Sequence, residues 1–356
     1  MSVNKDISVA SQLDHIGFIG LGAMGKPMVT NLAKALDAAQ SPAKIHIYDV
    51  VAAPIAELCS SFPDRIAECM NPLDVAKRSV SFLSLKTLFT MGTHHHCNCL
   101  LTTKQTVVFT MLPEGSHVKS VYLDSSTGII NALSPQLPSS SSKLLIDSST
   151  IDTATHLFIK SRLADASPST LFYDAPVSGG VLGAVKGTIA FFVGCSPQDQ
   201  SFARLQGLLS PMGDKIIPCG GPSLGLAAKL ANNYLSGTIT IACAEAMDMG
   251  MRAGLDPGVL QYVFSAGTAQ NRICDEFNPV PGVCPNAPPS HGYKGGFRVQ
   301  LMRKDIGLAM DMARRVGSRN VLGVSSLGVY AAASEAGDCK DLDSRVVYRY
   351  LGGKEI

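Results

Sequence analysis

Residues 15–25 read HIGFIGLGAMG, an apolar run that ends in three glycines with the spacing GxGxxG. His15 to Gly20 predicts a buried strand, and Lys26 to Asp37 predicts the helix that follows the glycines. In this context Gly20 makes the tight turn, Gly22 lets a pyrophosphate approach the backbone and Gly25 allows close packing of helix on strand. The phosphates would lie at the helix N-terminus, where backbone N–H groups favour anions. The predicted cofactor contacts in this loop are Gly20, Leu21, Gly22, Ala23, Met24 and Gly25.

Outward from this motif, short apolar runs alternate with helical patterns, which is typical of a parallel sheet with crossover helices. The further predicted strands are Lys44–Asp49, Thr106–Leu112, Lys143–Asp147, Leu171–Asp174 and Ile189–Val193. After Gly225 the pattern changes to helices alone, predicted at Leu226–Arg252, Pro257–Ser265, Gln300–Val316 and Ser325–Ala336. The sequence therefore predicts an α/β Rossmann-type dinucleotide-binding domain in residues 15–220, after an N-terminal extension of residues 1–14. An all-helical C-terminal domain is predicted in residues 221–356.

The composition excludes several classes of protein. With 356 residues, 46% of them hydrophobic, the chain can bury the cores of two domains. Its formal net charge of +2 argues against a nucleic-acid partner. No apolar stretch approaches the roughly 20 residues that cross a bilayer, so no membrane contact is expected. The ten cysteines form no CxxC pair, which favours free thiols in a reducing compartment.

Three more loops follow predicted strands and should reach the same cofactor crevice. Asp49 stands at the end of the second strand, where a carboxylate binds both ribose hydroxyls and repels a 2′-phosphate; this favours NAD over NADP. Its alternative role is to cap the strand end. Leu112 and Pro113 end the next strand, and Thr150 follows the strand after that. Ser148 to Asp152 is also a candidate helix cap, a role compatible with cofactor contact.

Two segments are candidates for binding a substrate. Asp174 to Gly180 places the hydroxyl of Ser178 beside Gly179 and Gly180, and such a turn can hold a carboxylate with backbone N–H groups. Lys229 and Asn233 are four residues apart and share one face of a predicted helix. No other charged residue stands between Lys229 and Glu245. One alternative is that the aliphatic part of Lys229 packs along the helix while its ammonium group reaches solvent. The other is that the lysine is functional, since a lysine with a lowered pKa can transfer protons.

The chain resembles the β-hydroxyacid dehydrogenase family over nearly its whole length. Four blocks carry the resemblance, in the family's order: residues 17–25, 174–187 and 220–233, and the pair Lys304-Asp305. The resemblance implies that Lys229 is the catalytic acid/base, with Asn233 orienting it, and that Ser178, Gly179 and Gly180 clasp a carboxylate. It further implies contacts at Leu112, Pro113, Thr150 and Lys304. In the segment before the lysine, Ser223 stands where the family has a glycine; His117 stands where the family often has Asn.

Residues 277–283 and 293–297 look most like the members of this family that act on 3-hydroxyisobutyrate. The resemblance therefore implies NAD-dependent oxidation of that substrate to methylmalonate semialdehyde, a step of valine breakdown, by a homo-oligomer. It points to the mitochondrial matrix, although residues 1–14 lack the Arg-rich pattern of a transit peptide, which leaves the cytoplasm as the alternative. The competing interpretations are a tartronate semialdehyde reductase, a phosphosugar acid dehydrogenase and a non-catalytic NAD-binding module.

Residues 80–106 are an atypical insertion, since family members pass almost directly from the helix before it to the strand after it. The insertion includes His94-His95-His96-Cys97-Asn98-Cys99. These side chains are too crowded to converge on one tetrahedral ion, so no metal site is predicted. A surface loop and the read-through of an intron are the two alternatives, of which we favour the second. The insertion enters at the amino end of its strand, opposite the predicted cofactor loops.

Overall fold

The computed structural model describes residues 13–86, 100–133 and 142–355. The strands are β1 His15–Ile19, β2 Lys44–Tyr48, β3 Ile66–Glu68, β4 Val80–Lys86, β5 Leu100–Thr110, β6 Ser142–Asp147, β7 Thr170–Asp174, β8 Val177–Ser178, β9 Ile189–Val193 and β10 Gly213–Pro218. The helices of the first half are α1 Gly25–Ala38, α2 Ala52–Ser61, α3 Pro72–Arg78, α4 Gly115–Leu123, α5 Thr153–Ala166, α6 Gly180–Lys186 and α7 Phe202–Leu209. Those of the second half are α8 Leu224–Arg252, α9 Pro257–Ala266, α10 Arg272–Glu276, α11 Val299–Arg315, α12 Gly323–Glu335 and α13 Val347–Tyr350.

The main sheet has the strand order β3-β2-β1-β5-β6-β7, and all of these strands are parallel. Successive side chains of a strand point to opposite faces, so a sheet covered on both sides buries both sets. Phe18 and Phe109 lie in the core on one face, with their rings stacked at 5.9 Å, while Ile19 and Val108 lie in the core on the other. This is the Rossmann-type sheet that the alternating pattern predicts.

One predicted strand does not belong to the main sheet. Ile189–Val193 is a strand, but it forms a separate three-stranded sheet in the order β10-β9-β8. The prediction that it continues the main sheet is therefore wrong. After β7 the chain passes through Pro176, which has no N–H for a ladder, and Val177 then pairs antiparallel with Phe191. The apolar pattern indicated a strand correctly but could not indicate its partner.

Contacts between Cα atoms divide the described chain into two compact units. The first comprises the residues up to Gly179 together with Gly183–Leu226, and the second comprises Gly180–Leu182 together with the residues from Ala227 onward. The second unit is helical, as predicted, and its core includes Ile241, Met302 and Tyr330. Within the described residues, the structure contains no helix with the length and hydropathy of a membrane span.

The flanks of the atypical insertion form an antiparallel ladder. β4 pairs with the first part of β5, from Val80 opposite Thr106 to Lys86 opposite Leu100. The later residues of β5 pair with β1, starting at Val108. The ladder therefore leaves the sheet from the amino end of β5, as predicted. The stretch His94 to Cys99 lies outside the described residues.

Candidate active site

The glycine loop between β1 and α1 is shaped by two close approaches and one open space. Gly20 has φ +95°, which a side chain disfavours, and a Cβ there would meet the carbonyl oxygen of Met111. A Cβ on Gly25 would meet the carbonyl oxygen of Gly20. In contrast, a Cβ on Gly22 would have no atom within 4 Å. The backbone is thus tightly packed at both ends of the loop and open at Gly22, where a ligand can approach.

The helix that follows this loop is suited to an anion. α1 begins without a side-chain cap and has no acidic residue in its first turn. Its first N–H groups carry the positive end of the helix dipole. Together with the open space at Gly22, this start fits the pyrophosphate of a dinucleotide. Leu21 is buried in the core, whereas Ala23 is exposed beside the opening.

Asp49 is tied to the glycine loop. Its Oδ2 accepts the Leu21 N–H at 2.5 Å, and its Oδ1 accepts the Val51 N–H at 2.8 Å. The carboxylate thus holds the strand end and the loop, as the capping alternative expects. Each carboxylate oxygen has a second lone pair, and the side chain is partly exposed, so it can also accept a ribose hydroxyl.

The loops after β5 and β6 contact each other directly. The Leu112 N–H donates to Ser149 Oγ at 2.8 Å, while Pro113 is exposed and Thr150 is partly buried. Asp152 accepts the N–H of Thr155 at 2.8 Å and caps α5, so the helix-cap prediction for this segment is confirmed. In the first unit, the structure therefore brings together Leu112 and the segment that contains Thr150.

The turn after β7 has the backbone freedom that a ligand clasp needs. Ser178 is partly buried, and it precedes Gly179 with φ +135° and Gly180 with φ +64°, a region that glycine favours. A Cβ on Gly179 would lie 3.2 Å from a side-chain carbon of Ile189. These glycines are thus explained by conformation and close packing, and the carboxylate clasp stays a prediction.

Asp174, at the end of β7, holds the start of the helix that carries Lys229. Its two oxygens accept the N–H groups of Ser223 and Leu226, each at 2.8 Å. His156 Nε2 lies 3.4 Å from Asp174, and burial lowers the pKa of His156 to about 3, so this histidine is neutral. Ser223 has φ +62°, so it adopts the backbone conformation that the family's glycine would adopt freely.

In the second unit, Lys229 and Asn233 of α8 lie in a polar cluster with Lys304 and Asp305 of α11. The side chain of Lys229 is only 7% exposed, and burial lowers its pKa from 10.5 to about 8 against the opposing effect of the Asp305 carboxylate. Asn233 Nδ2 donates to Asp305 Oδ2 at 2.6 Å, and Lys304 Nζ lies 3.3 Å from Asp305 Oδ1. A lysine with this pKa exists in both protonation states near neutral pH, which is what a general acid/base requires.

The role of Asp305 could not be assigned from the resemblance, but the sequence contains a signal for it. On α11 the apolar residues Met302, Ile306 and Ala309 are buried and form one stripe of the helix. Asp305 follows Met302 by three residues, so it falls in this stripe, and it is 1% exposed. A carboxylate in a core register requires a partner, and here it has Asn233.

Comparison with known proteins identifies the family to which the chain belongs. Residues 15–221 match the family model described as the NAD binding domain of 6-phosphogluconate dehydrogenase, and residues 224–351 match that described as NAD-binding of NADP-dependent 3-hydroxyisobutyrate dehydrogenase. A probable mitochondrial 3-hydroxyisobutyrate dehydrogenase of Dictyostelium discoideum is 36% identical over 94% of this chain and 90% of its own length. The chain belongs to the 3-hydroxyisobutyrate dehydrogenase family. The first unit is accordingly an NAD(P)-binding domain of the Rossmann type.

Two further members of the 3-hydroxyisobutyrate dehydrogenase family cover nearly all of the chain. The enzyme of that name from Pseudomonas aeruginosa is 34% identical over 96% of this chain and 100% of its own length. The Mycobacterium tuberculosis 3-hydroxyisobutyrate dehydrogenase, solved with L-serine, is 31% identical, with a TM-score of 0.74 over 95% of this chain and 99% of its own. The similarity therefore extends over nearly the whole chain.

Proposed function

We propose that the protein oxidises 3-hydroxyisobutyrate to methylmalonate semialdehyde with NAD, and that Lys229 is the general base. The observation that carries this proposal is a buried lysine with a pKa of about 8, beside an asparagine that is fixed by Asp305. NAD, when bound, accepts the hydride from the carbinol carbon. Neutral Lys229 Nζ takes the hydroxyl proton as the carbonyl forms, and returns it in the reverse direction.

The remaining site residues are proposed on the family pattern. Asn233 orients the substrate or the lysine, because its amide is fixed through Nδ2 and its oxygen accepts Asn232 Nδ2 at 3.1 Å. The proposed carboxylate clasp is Ser178, Gly179 and Gly180. The proposed cofactor contacts are Gly20, Leu21, Gly22, Ala23, Met24, Gly25, Asp49, Leu112, Pro113, Thr150 and Lys304. We also propose the domain division at residues 220 and 221.

The preference for NAD over NADP rests on Asp49. Its carboxylate holds the glycine loop through Leu21, so it lies at the end of β2 next to that loop. A 2′-phosphate brought to this side chain would meet its negative charge, whereas a ribose hydroxyl could donate to it. We therefore expect NAD to be the better coenzyme, although one matching family model is described as NADP-dependent.

Assembly and location complete the proposal. On α9, Val259, Tyr262 and Val263 follow the spacing of one helix face and are 53%, 74% and 52% exposed. An exposed apolar face of this kind suits contact between subunits, which supports a homo-oligomer. The Dictyostelium relative is named as mitochondrial, which supports the mitochondrial matrix.

The test is an initial-rate assay of NADH formation. Purified protein is compared on 3-hydroxyisobutyrate, glycerate and L-serine, each with NAD and with NADP. We expect the highest kcat/KM for 3-hydroxyisobutyrate with NAD. L-serine is included because it accompanies the Mycobacterium tuberculosis structure. A higher kcat/KM for glycerate or L-serine would reject the proposed substrate, and a higher value with NADP would reject the proposed role of Asp49.

Two lysine variants complete this test. Lys229→Met should lose turnover, because the proton acceptor is gone. Lys143→Met is the matched control, because burial also lowers the pKa of Lys143 to about 8. The ammonium group of Lys143 donates a hydrogen bond to the carbonyl oxygen of Ala132, and this lysine has no proposed catalytic role. Near-normal turnover in a folded Lys229→Met protein would reject Lys229 as the base.

A further inference from the structure

A buried carboxylate at the end of β6 collects several hydrogen bonds on one oxygen. Asp147 is fully buried, and its Oδ1 accepts Thr110 Oγ1 at 2.7 Å. The same oxygen accepts the Ser149 N–H at 3.1 Å and the Ser149 hydroxyl at 2.5 Å. Because parallel strands end at the same edge of the sheet, this oxygen links the ends of β5 and β6 where the cofactor loops begin.

The proton directions in this network follow from the number of donors. The hydroxyl of Ser149 donates its single proton to Asp147, so its lone pair accepts the Leu112 N–H at 2.8 Å. Thr110 likewise donates to Asp147 and can accept from Tyr122, whose oxygen lies 2.9 Å away. Both chains of donors therefore end on Asp147, and one of them starts at the backbone of Leu112.

The cost of this arrangement indicates that it does more than stabilise the fold. Burial raises the pKa of Asp147 to about 6 despite its hydrogen bonds, so the charged form is less favourable here than in water. Its second oxygen, Oδ2, has no hydrogen-bond partner within the described part of the chain. A buried group with half of its oxygens unsatisfied contributes little net stability, but it fixes every donor that points at it.

We infer that Asp147, acting through Ser149, is a positioning residue of the dinucleotide site, because it holds the backbone N–H of Leu112, the residue before Pro113. This inference rests on the proposed cofactor contacts of those two residues. It adds Asp147 and Ser149 to the residues that determine coenzyme affinity, although neither need touch the coenzyme. Removal of the Ser149 hydroxyl should free the Leu112 N–H and loosen the loop.

The neighbouring serine provides a matched control. Ser148 is as buried as Ser149, but its hydroxyl has no hydrogen-bond partner among the residues that the structure describes. Ser148→Ala and Ser149→Ala therefore remove the same atom from adjacent positions, and only the second interrupts the path from Leu112 to Asp147. Any general effect of a smaller side chain in this loop should appear in both variants.

The experiment measures NADH binding directly, by fluorescence titration of the whole protein, together with KM values and urea unfolding. We expect Ser149→Ala to raise the Kd for NADH and the KM for NAD about five- to tenfold, the loss of roughly one hydrogen bond, with the KM for 3-hydroxyisobutyrate unchanged. Ser148→Ala should match the wild type. Equal Kd values for folded Ser149→Ala and Ser148→Ala would overturn the inference. An equal rise of the KM for NAD and the KM for 3-hydroxyisobutyrate in Ser149→Ala would also overturn it.

A second pair of variants covers the case in which Ser149→Ala does not fold. Ser149→Cys keeps the shape of the side chain but replaces the hydroxyl by a thiol, a weak donor and acceptor, whereas Ser149→Thr keeps the hydroxyl. We expect weaker NADH binding only in the cysteine variant, and equal binding of the two variants would overturn the inference. Titration with NADH alone also separates this inference from the proposed substrate. If Ser149→Ala weakens NADH binding in a protein that does not oxidise 3-hydroxyisobutyrate, the substrate proposal fails and the positioning role stands.

Discussion

Replacing Asp305 by asparagine should move the pH dependence of catalysis to lower pH. Burial lowers the pKa of Lys229 to about 8, the Asp305 carboxylate opposes that shift, and Lys304 adds to it. In Asp305→Asn the amide oxygen can still accept the Asn233 side chain, but the negative charge is gone. Without that charge the pKa of Lys229 should fall further.

The size of the effect follows from the pKa values. The shift from 10.5 to about 8 corresponds to about 3 kcal/mol against the charged lysine. The Asp305 charge raises the pKa of Lys229, so its loss lowers that pKa, and a fall of about one unit would bring it to about 7. At pH 7 the neutral fraction would rise from about one tenth to about one half.

The assay is the profile of kcat/KM for 3-hydroxyisobutyrate between pH 5.5 and 9.5, a range set to about two units around the expected inflection. The inflection on the acid side should lie near pH 8 in the wild type and about one unit lower in Asp305→Asn, whatever the absolute rate. Lys304→Gln should move it upward, and Lys143→Met should leave it unchanged. An inflection that stays in place or rises in Asp305→Asn would refute the assignment of this titration to Lys229.

Three further predictions concern stability and coenzyme binding. At pH 7 the free energy of unfolding of Lys229→Met, measured with urea, should be about 1 to 3 kcal/mol higher than that of the wild type. The reason is that a depressed lysine pKa lowers stability by its full amount below about pH 8, and this loss disappears only toward pH 10.5. Equal or lower stability of the variant would contradict the burial argument. Gly22→Ala should leave the urea midpoint nearly unchanged, because the added Cβ meets no protein atom within 4 Å, but it should raise the Kd for NADH at least tenfold. The control is Gly328→Ala on α12, where an added Cβ also meets no atom within 4 Å; this variant should bind NADH like the wild type. Asp49→Ser should lower the ratio of kcat/KM for NAD to that for NADP by about ten- to a hundredfold; an unchanged ratio would exclude ribose selection by this carboxylate.

Local signals in the sequence predicted the fold well, because they reside in neighbouring residues. The GxGxxG spacing and the apolar run before it placed β1 and α1 to within one residue. The long helical pattern placed Lys229 near the start of α8, which begins at Leu224. The apolar pattern at Ile189–Val193 indicates a strand for the same reason, but it does not indicate the sheet to which the strand belongs, because pairing depends on distant partners.

The polar contacts that order the site could not be predicted, because they join residues far apart in the chain. Asn233 and Asp305 are separated by 72 residues, and Asp174 reaches Leu226 across 52. No periodicity encodes such a contact. Only the misfit of a charged residue in an apolar stripe, as at Asp305, can indicate that a contact exists. Its partner becomes visible only when the helices pack.

The ladder of β4 and the first half of β5 also offers a practical site for attaching a probe. Its last pair, Lys86 opposite Leu100, lies six residues along the strands from the pair of Val80 and Thr106, where the ladder meets the main sheet. At about 3.4 Å per residue, this is about 20 Å along the strands, away from the ends that carry the glycine loop and Asp49. A fluorophore or affinity tag joined at the far end of this arm can therefore report on or immobilise the enzyme without obstructing its coenzyme.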